Sequence, residues 1–165
     1  MVDRDALNRL YRYAYALAGT EADAYDLLQD GLERYLRHDR QDLDNPEAYI
    51  RRIIRNCFVD GLRDRGRHLQ EPLVDGTTEP QDIDTHTLET MMIDADQVEW
   101  VWGQLDPRDR ELLYLWAAEG MTAREIAEEL GAPRGTVLSR IHRLRARLRT
   151  LAENQTPSTG GVSTT

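Results

Sequence analysis

Between Pro133 and Arg149 the chain carries six arginines and no acidic residue. A second run, Arg51 to Arg67, carries six arginines against two aspartates, a net of +4. Guanidinium groups in such numbers neutralise phosphates, and one placed in a major groove can engage a guanine edge. Neither run offers a catalytic set. His38-Asp39 could suggest a metal phosphohydrolase, but His68, His86 and His142 are the other histidines and none lies upstream to complete a site. No Gly-rich phosphate loop, Ser-His-Asp set or paired catalytic carboxylate stands out. The expectation is a protein that is not an enzyme and uses no cofactor or metal.

Each arginine run needs a helix to present it. In 122–149, TAREIAEELGAPRGTVLSRIHRLRARLR, Thr122 and Glu125 have capping-box spacing. Ile126 and Leu130 lie one turn apart, and Gly131 stands where a left-handed residue ends a helix. Pro133 suits the first turn of a second helix. Ala127, Gly131 and Val137 have the spacing of a DNA-binding helix-turn-helix: small for close crossing, glycine for the turn, apolar for the shared core. On the second helix Val137, Ile141, Leu144 and Leu148 share a narrow face. Ser139, His142 and Arg143 fall roughly opposite that face, with Thr136 and Arg140 flanking, which leaves a basic surface suited to a major groove. Leu138 is expected among them, against a thymine methyl.

The N-terminal part reads as three helices. The first runs from about Asp5 to Ala18 and ends at Gly19. Thr20 caps the second, which continues to about Leu36, with Tyr25, Leu28, Leu32, Tyr35 and Leu36 as its apolar positions. Asp23, Asp26, Gln29, Asp30 and Glu33 form its acidic side. Gly31 costs about 1 kcal/mol relative to Ala inside a helix, so it needs a reason such as close packing. Asn45 and Pro46 open the third helix. Ile50, Ile53, Ile54, Cys57, Phe58 and Leu62 are its expected core side, and Arg51, Arg55, Asn56 and Arg63 its outer side. Cys57 is the sole cysteine, which excludes an internal disulfide.

The net charge of -9 is unevenly spread. Residues 1–67 have a net of -1 and residues 100–165 a net of +1, while 68–99 hold nine acids and no arginine. Pro72, Gly76 and Pro80 also fall in that middle stretch, which reads as an acidic linker. The expected organisation is all-α: a helical domain at 1–67, a flexible linker at 68–86, a helix-turn-helix domain at 87–152 and a disordered tail at 153–165. A helix is expected from about Thr87 to Val101, with Trp100 and Trp102 in its core. Another is expected from Asp106-Pro107 to about Glu119. No apolar run reaches the ~18 residues needed to span a bilayer, and MVDRDALNRL lacks a signal-peptide pattern, so a cytoplasmic location without membrane insertion is expected.

Three blocks taken in order resemble the extracytoplasmic-function (ECF) group of RNA polymerase sigma factors. AYDLLQDGLERYL resembles the family's polymerase-binding helix, and NPEAYIRRIIRNCFVDGLRDRGR its promoter-melting helix. The block LDPRDRELLYLWAAEGMTAREIAEELGAPRGTVLSRIHRLRARLR resembles its upstream-element-binding domain. The resemblance implies that Asp26, Gln29 and Asp30 meet the largest subunits of core RNA polymerase. It implies that Arg51, Arg55, Asn56, Arg63 and Arg67 contact the minus-ten element as it opens. Arg134, Thr136, Ser139, Arg140, His142 and Arg143 would then read the minus-thirty-five element of promoter DNA. An anti-sigma factor is a further implied partner. The competing reading is a helix-turn-helix regulator that binds an operator as a dimer. Two lobes fused into one rigid body with its arginines pointing inward would overturn the two-domain account.

Overall fold

The computed structural model describes residues 2–38, 43–66 and 95–155. Among these residues there are helices and turns and no strand. The helices are α1 (Arg4–Ala18), α2 (Glu21–Arg37), α3 (Pro46–Asp64), α4 (Ala95–Gln104), α5 (Pro107–Leu113), α6 (Ala123–Leu130) and α7 (Arg134–Gln155), with a π-helical turn at Tyr114–Ala118. They form two helical units, α1–α3 and α4–α7. Arg67, the 68–86 linker, most of the 38–44 loop, the expected helical start at Thr87 and the 156–165 tail lie outside the described residues.

Local chemistry sets most helix ends. Asp3, Thr20, Asn45, Asp106 and Thr122 each accept a hydrogen bond from an amide of the first turn that would otherwise lack a partner. Pro46 and Pro107 follow two of these caps at the first helical position. Gly19 and Gly131 close α1 and α6 in the left-handed region, at φ 82° and 64°. At Thr122 the capping box is half made. The Glu125 amide donates to the threonine hydroxyl at 3.2 Å, but the Glu125 carboxylate accepts from that hydroxyl at 3.0 Å rather than from the Thr122 amide.

In the first unit α1 packs on α2 and α3, and α2 on α3. Leu10, Ala14, Leu17, Ala24, Ile50 and Ile54 are fully buried. The buried residues of α2 are Ala24, Leu27 and Gly31; of the apolar row expected from the sequence, Leu28, Leu32 and Tyr35 are partly buried against the core. Tyr25 is 55% and Leu36 78% exposed. The reason is close helix crossing: a Cβ placed on Gly31 would sit 2.5 Å from Ile54 Cγ1. Small residues let α2 approach α3, and of the large ones only Tyr25 and Leu36 turn outward.

In the second unit Val137, Ile141, Leu144 and Leu148 are buried beside Ile126 and Ala127, as the helical spacing requires. The expected single helix from Pro107 to Glu119 breaks into α5 and the π turn, where the Glu119 amide donates to the Tyr114 carbonyl at 3.0 Å. The widened turn buries Tyr114, Leu115 and Trp116 together. Trp100 is 39% exposed, so it is not the core residue expected, whereas Val101 beside it is buried.

The two units are docked. α1 lies against α5, and their buried residues join one apolar cluster. Arg110 of α5 reaches the end of α1, donating to the Ala16 carbonyl at 2.7 Å and the Leu17 carbonyl at 3.2 Å. Those carbonyls belong to the last turn of a helix, which has no amides left to bind them. Tyr114 adds a hydrogen bond from its hydroxyl to the Arg9 carbonyl at 2.9 Å.

Candidate nucleic-acid interface

The acidic face comes first along the chain. Asp26, Gln29 and Asp30 are all exposed on α2, and Glu33 continues the same side. None of the three is drawn into an ion pair among the described residues, apart from a long 3.5 Å hydrogen bond from Gln29 to Glu33.

The arginines of α3 divide into two groups. Asn56 and Arg63 are exposed toward the end of the helix. Arg51 and Arg55 point inward, to the second unit. Arg51 is 8% exposed and makes a two-pronged contact with Glu129 of α6: Nε to Oε1 at 2.6 Å and Nη2 to Oε2 at 3.1 Å. Its Nη1 also donates to Glu47 at 3.3 Å, and Glu47 is held in turn by Arg9. Arg55 Nε donates to Glu111 Oε1 at 3.0 Å. Tyr13 donates its hydroxyl to the same oxygen at 2.5 Å. Sequence periodicity places Arg51 on the outer side of the helix, but at Arg51 and Arg55 that side is covered by the second unit. Burial pushes the Glu111 carboxyl above its ordinary range, although Arg55 and Tyr13 pull the other way. The Tyr13 hydroxyl is held well above its usual value, first by burial and then by Glu111, and stays protonated.

The helix-turn-helix has its expected parts: α6, the Gly131 turn and α7, with Ala127 and Val137 buried between them. Arg134, His142 and Arg143 are exposed, and Thr136, Ser139 and Arg140 are half-buried. Leu138 corrects the sequence expectation. It is 8% exposed and faces a groove with Trp116, Met121 and Ala132 rather than standing out for a base. Trp116, within the π turn, lines that groove, a placement no local signal foretells.

One cleft gathers residues from both runs. Arg55 of α3 and Arg140, Arg143 and Arg147 of α7 line a space of about 220 Å³ with Asp106 and Asp109. Arg147 is tied there, to Asp109 at 3.1 Å and to the Gln104 carbonyl at 3.1 Å. The structure therefore brings members of the minus-ten and minus-thirty-five candidate sets to one place. It leaves Arg134 at the far end of α7 and Asn56 and Arg63 farther along α3.

Comparison with known proteins decides the family. The Sigma-70 region 2 profile matches residues 4–68 and the Sigma-70 region 4 profile residues 103–148. The chain is 34% identical to the RNA polymerase sigma-E factor of Streptomyces coelicolor, over 88% of this chain and 81% of that one. It is 31% identical to the ECF RNA polymerase sigma factor SigL of Mycobacterium tuberculosis, over 81% of this chain and 76% of the relative. The chain belongs to the ECF RNA polymerase sigma factors. The ECF sigma factor SigE of Mycolicibacterium smegmatis is 35% identical over 88% of this chain, but that match spans only 58% of SigE's own length. The sigma factor RpoE of Bartonella quintana, solved in complex with the anti-sigma factor NepR, superposes with a TM-score of 0.64 at 25% identity. That superposition covers 91% of this chain and 93% of RpoE. Sigma factors are initiation factors. Among the described residues no helix of this one is long and apolar enough to cross a membrane.

Proposed function

We propose that the protein binds core RNA polymerase and directs it to promoters, melting the minus-ten element with its first unit and reading the minus-thirty-five element with its second. One observation carries this reading. An exposed acidic face on α2, an arginine-bearing α3 and a helix-turn-helix follow one another in a chain that matches both sigma regions in order. Asp26, Gln29 and Asp30 supply the polymerase contact. Arg51, Arg55, Asn56, Arg63 and Arg67 hold the opened minus-ten strand, where guanidinium groups track the backbone of splayed bases. Arg134, Thr136, Ser139, Arg140, His142 and Arg143 serve the duplex upstream, their phosphate contacts fixing register and their base contacts choosing sequence. The protein acts in the cytoplasm, where polymerase and chromosome are, and an anti-sigma partner of the kind bound to RpoE regulates it. An operator-binding dimer would account for the second unit alone and leaves the match at residues 4–68 without a purpose.

The test is run-off transcription with core polymerase and genomic promoter fragments. Initiation that depends on the added protein is expected. Failure at every promoter and failure to form a complex with core, with tight operator binding by the protein alone, would overturn the reading. Within it, Arg143→Ala is expected to weaken minus-thirty-five binding about tenfold, in line with roughly 1–3 kcal/mol for one good base contact, while core binding is unchanged. Equal loss of both would contradict the division of labour.

A further inference from the structure

Arg9, Glu47 and Arg51 form a chain of charges inside the first unit. Arg9 of α1 takes both oxygens of the Glu47 carboxylate, Nε to Oε1 and Nη2 to Oε2, each at 2.9 Å. Arg51 reaches the same carboxylate with one arm only, Nη1 to Oε1 at 3.3 Å. Its two-pronged edge, Nε and Nη2, is turned to another group, the Glu129 carboxylate, at 2.6 Å and 3.1 Å. That contact shows what the edge accepts: a group offering two oxygens side by side, which a phosphate also does.

Left to themselves, Glu47 and Arg51 would pair more fully. They lie one helical turn apart on α3 with the acid nearer the N-terminus, the order in which such pairs close most readily. Arg9 stands in the way. Its planar fork matches a carboxylate at two points, so it outcompetes a single arm. Packing holds the competitors in place, because Leu10, next to Arg9, and Ile50, between Glu47 and Arg51, are fully buried. Arg9 and Glu47 both belong to the first unit, so their clasp needs nothing from the second.

We propose that Arg9 is a positioning residue for the minus-ten strand: by occupying both oxygens of Glu47 it keeps that carboxylate from closing on Arg51, and so leaves the two-pronged edge of Arg51 to a backbone phosphate. Arg9 acts through Glu47 and Arg51 and does not itself touch the strand. The inference deepens the function proposed above and rests on the strand contact assigned there to Arg51.

The test uses holoenzyme assembled from the full chain and core polymerase, with a promoter found by the run-off assay. The readout is the affinity for a fluorescein-labelled single strand carrying that promoter's minus-ten segment, by anisotropy across a salt series. Arg4→Gln, which removes an exposed cation from the same helix, controls for charge alone. Relative to that control, Arg9→Gln is expected to weaken binding about fivefold and to make the log–log salt slope shallower by about 0.7, the share of one phosphate on a single strand. Adding Glu47→Gln to Arg9→Gln is expected to restore wild-type affinity within about twofold, because no carboxylate is left to capture Arg51. In an Arg51→Gln background, Arg9→Gln is expected to do no more than Arg4→Gln does there.

A loss in Arg9→Gln that Glu47→Gln leaves unrepaired would mean that Arg9 merely clasps α1 to α3, and would overturn the proposal. So would an equal loss in the Arg51→Gln background. If Arg9→Gln loses helical circular dichroism, Glu47→Gln alone decides. Affinity at or above that of wild type is then expected, and weaker binding by the folded variant would sink the idea. Failure of the promoter reading shows first, in the run-off assay. An Arg51→Gln holoenzyme that initiates and binds the strand at full affinity would instead remove the Arg51 contact, and the role of Arg9 with it, while leaving that reading intact.

Discussion

A guanidinium removed from water needs a carboxylate at hand, and α3 meets that need with residues from the far end of the chain. The Arg51–Glu129 pair is nearly buried on both sides, with side-chain exposures of 9% and 10%. Such a pair adds little net stability, but breaking it by removing one partner costs about 3–5 kcal/mol, because the other charge is left stranded. Cys57 shows burial acting on a different chemistry. It is 8% exposed on the core side of α3, and loss of hydration pushes its thiol up, away from the reactive thiolate. Native protein is therefore expected to react with a maleimide or disulfide reagent at least about tenfold more slowly than protein in urea, read by mass spectrometry. Equal rates would show that this side of α3 is open.

At the scale of elements the decisive fact is how closely α2 crosses α3. Gly31 is buried, and any Cβ there would press on Ile54, itself fully buried. Gly31→Ala would gain about 1 kcal/mol of helix propensity but incur overpacking of roughly 1–3 kcal/mol. A net loss of about 1 kcal/mol is expected, seen as a lower urea midpoint with an unchanged slope; a stabilised variant would mean that the two helices have room to move apart. This region also marks what a sequence can disclose. Caps at Thr20, Asn45 and Asp106 and the stops at Gly19 and Gly131 are local chemistry, so they could be read directly. The buried side of α2 could not. Periodicity favours large apolar residues and finds Leu28, Leu32 and Tyr35 at the edge of the core, but the buried set is Ala24, Leu27 and Gly31, while Tyr25 and Leu36 face outward. The π turn at Tyr114–Ala118 has no local signature either, and its Trp116 lines the groove that Leu138 faces. The exposed candidates Asp26, Asn56, Arg63, Arg134, His142 and Arg143 stand where helical angle puts them; Arg51 is buried and Arg55 half-buried by contacts with residues more than fifty positions away.

The whole molecule couples docking to protons through Glu111. Its carboxyl meets Tyr13 from α1 and Arg55 from α3, with Glu129 of α6 adding repulsion. Burial dominates and raises it above its ordinary 4.5. When the units separate, the group returns to water and to that ordinary value, so the docked form holds the proton more readily. A group raised in this way penalises docking fully when it is ionised, and the penalty falls as pH drops through the raised value toward 4.5. Acidification from about pH 7 to about pH 5 is therefore expected to shrink the radius of gyration of the free protein. Expansion over that interval would show that loss of the Arg55 contact outweighs relief of burial.

Arg110 gives the first unit's opening helix an ending borrowed from the other half of the chain. Once the halves part, water must take over from Arg110 at the carbonyls of Ala16 and Leu17. The last turn of α1, including the amide of Gly19 that now donates to Tyr15, would then fray before anything else in that unit. Deuterium uptake at those few amides would thus act as a clock for separation, ticking at the opening rate while the rest of the bundle stays silent.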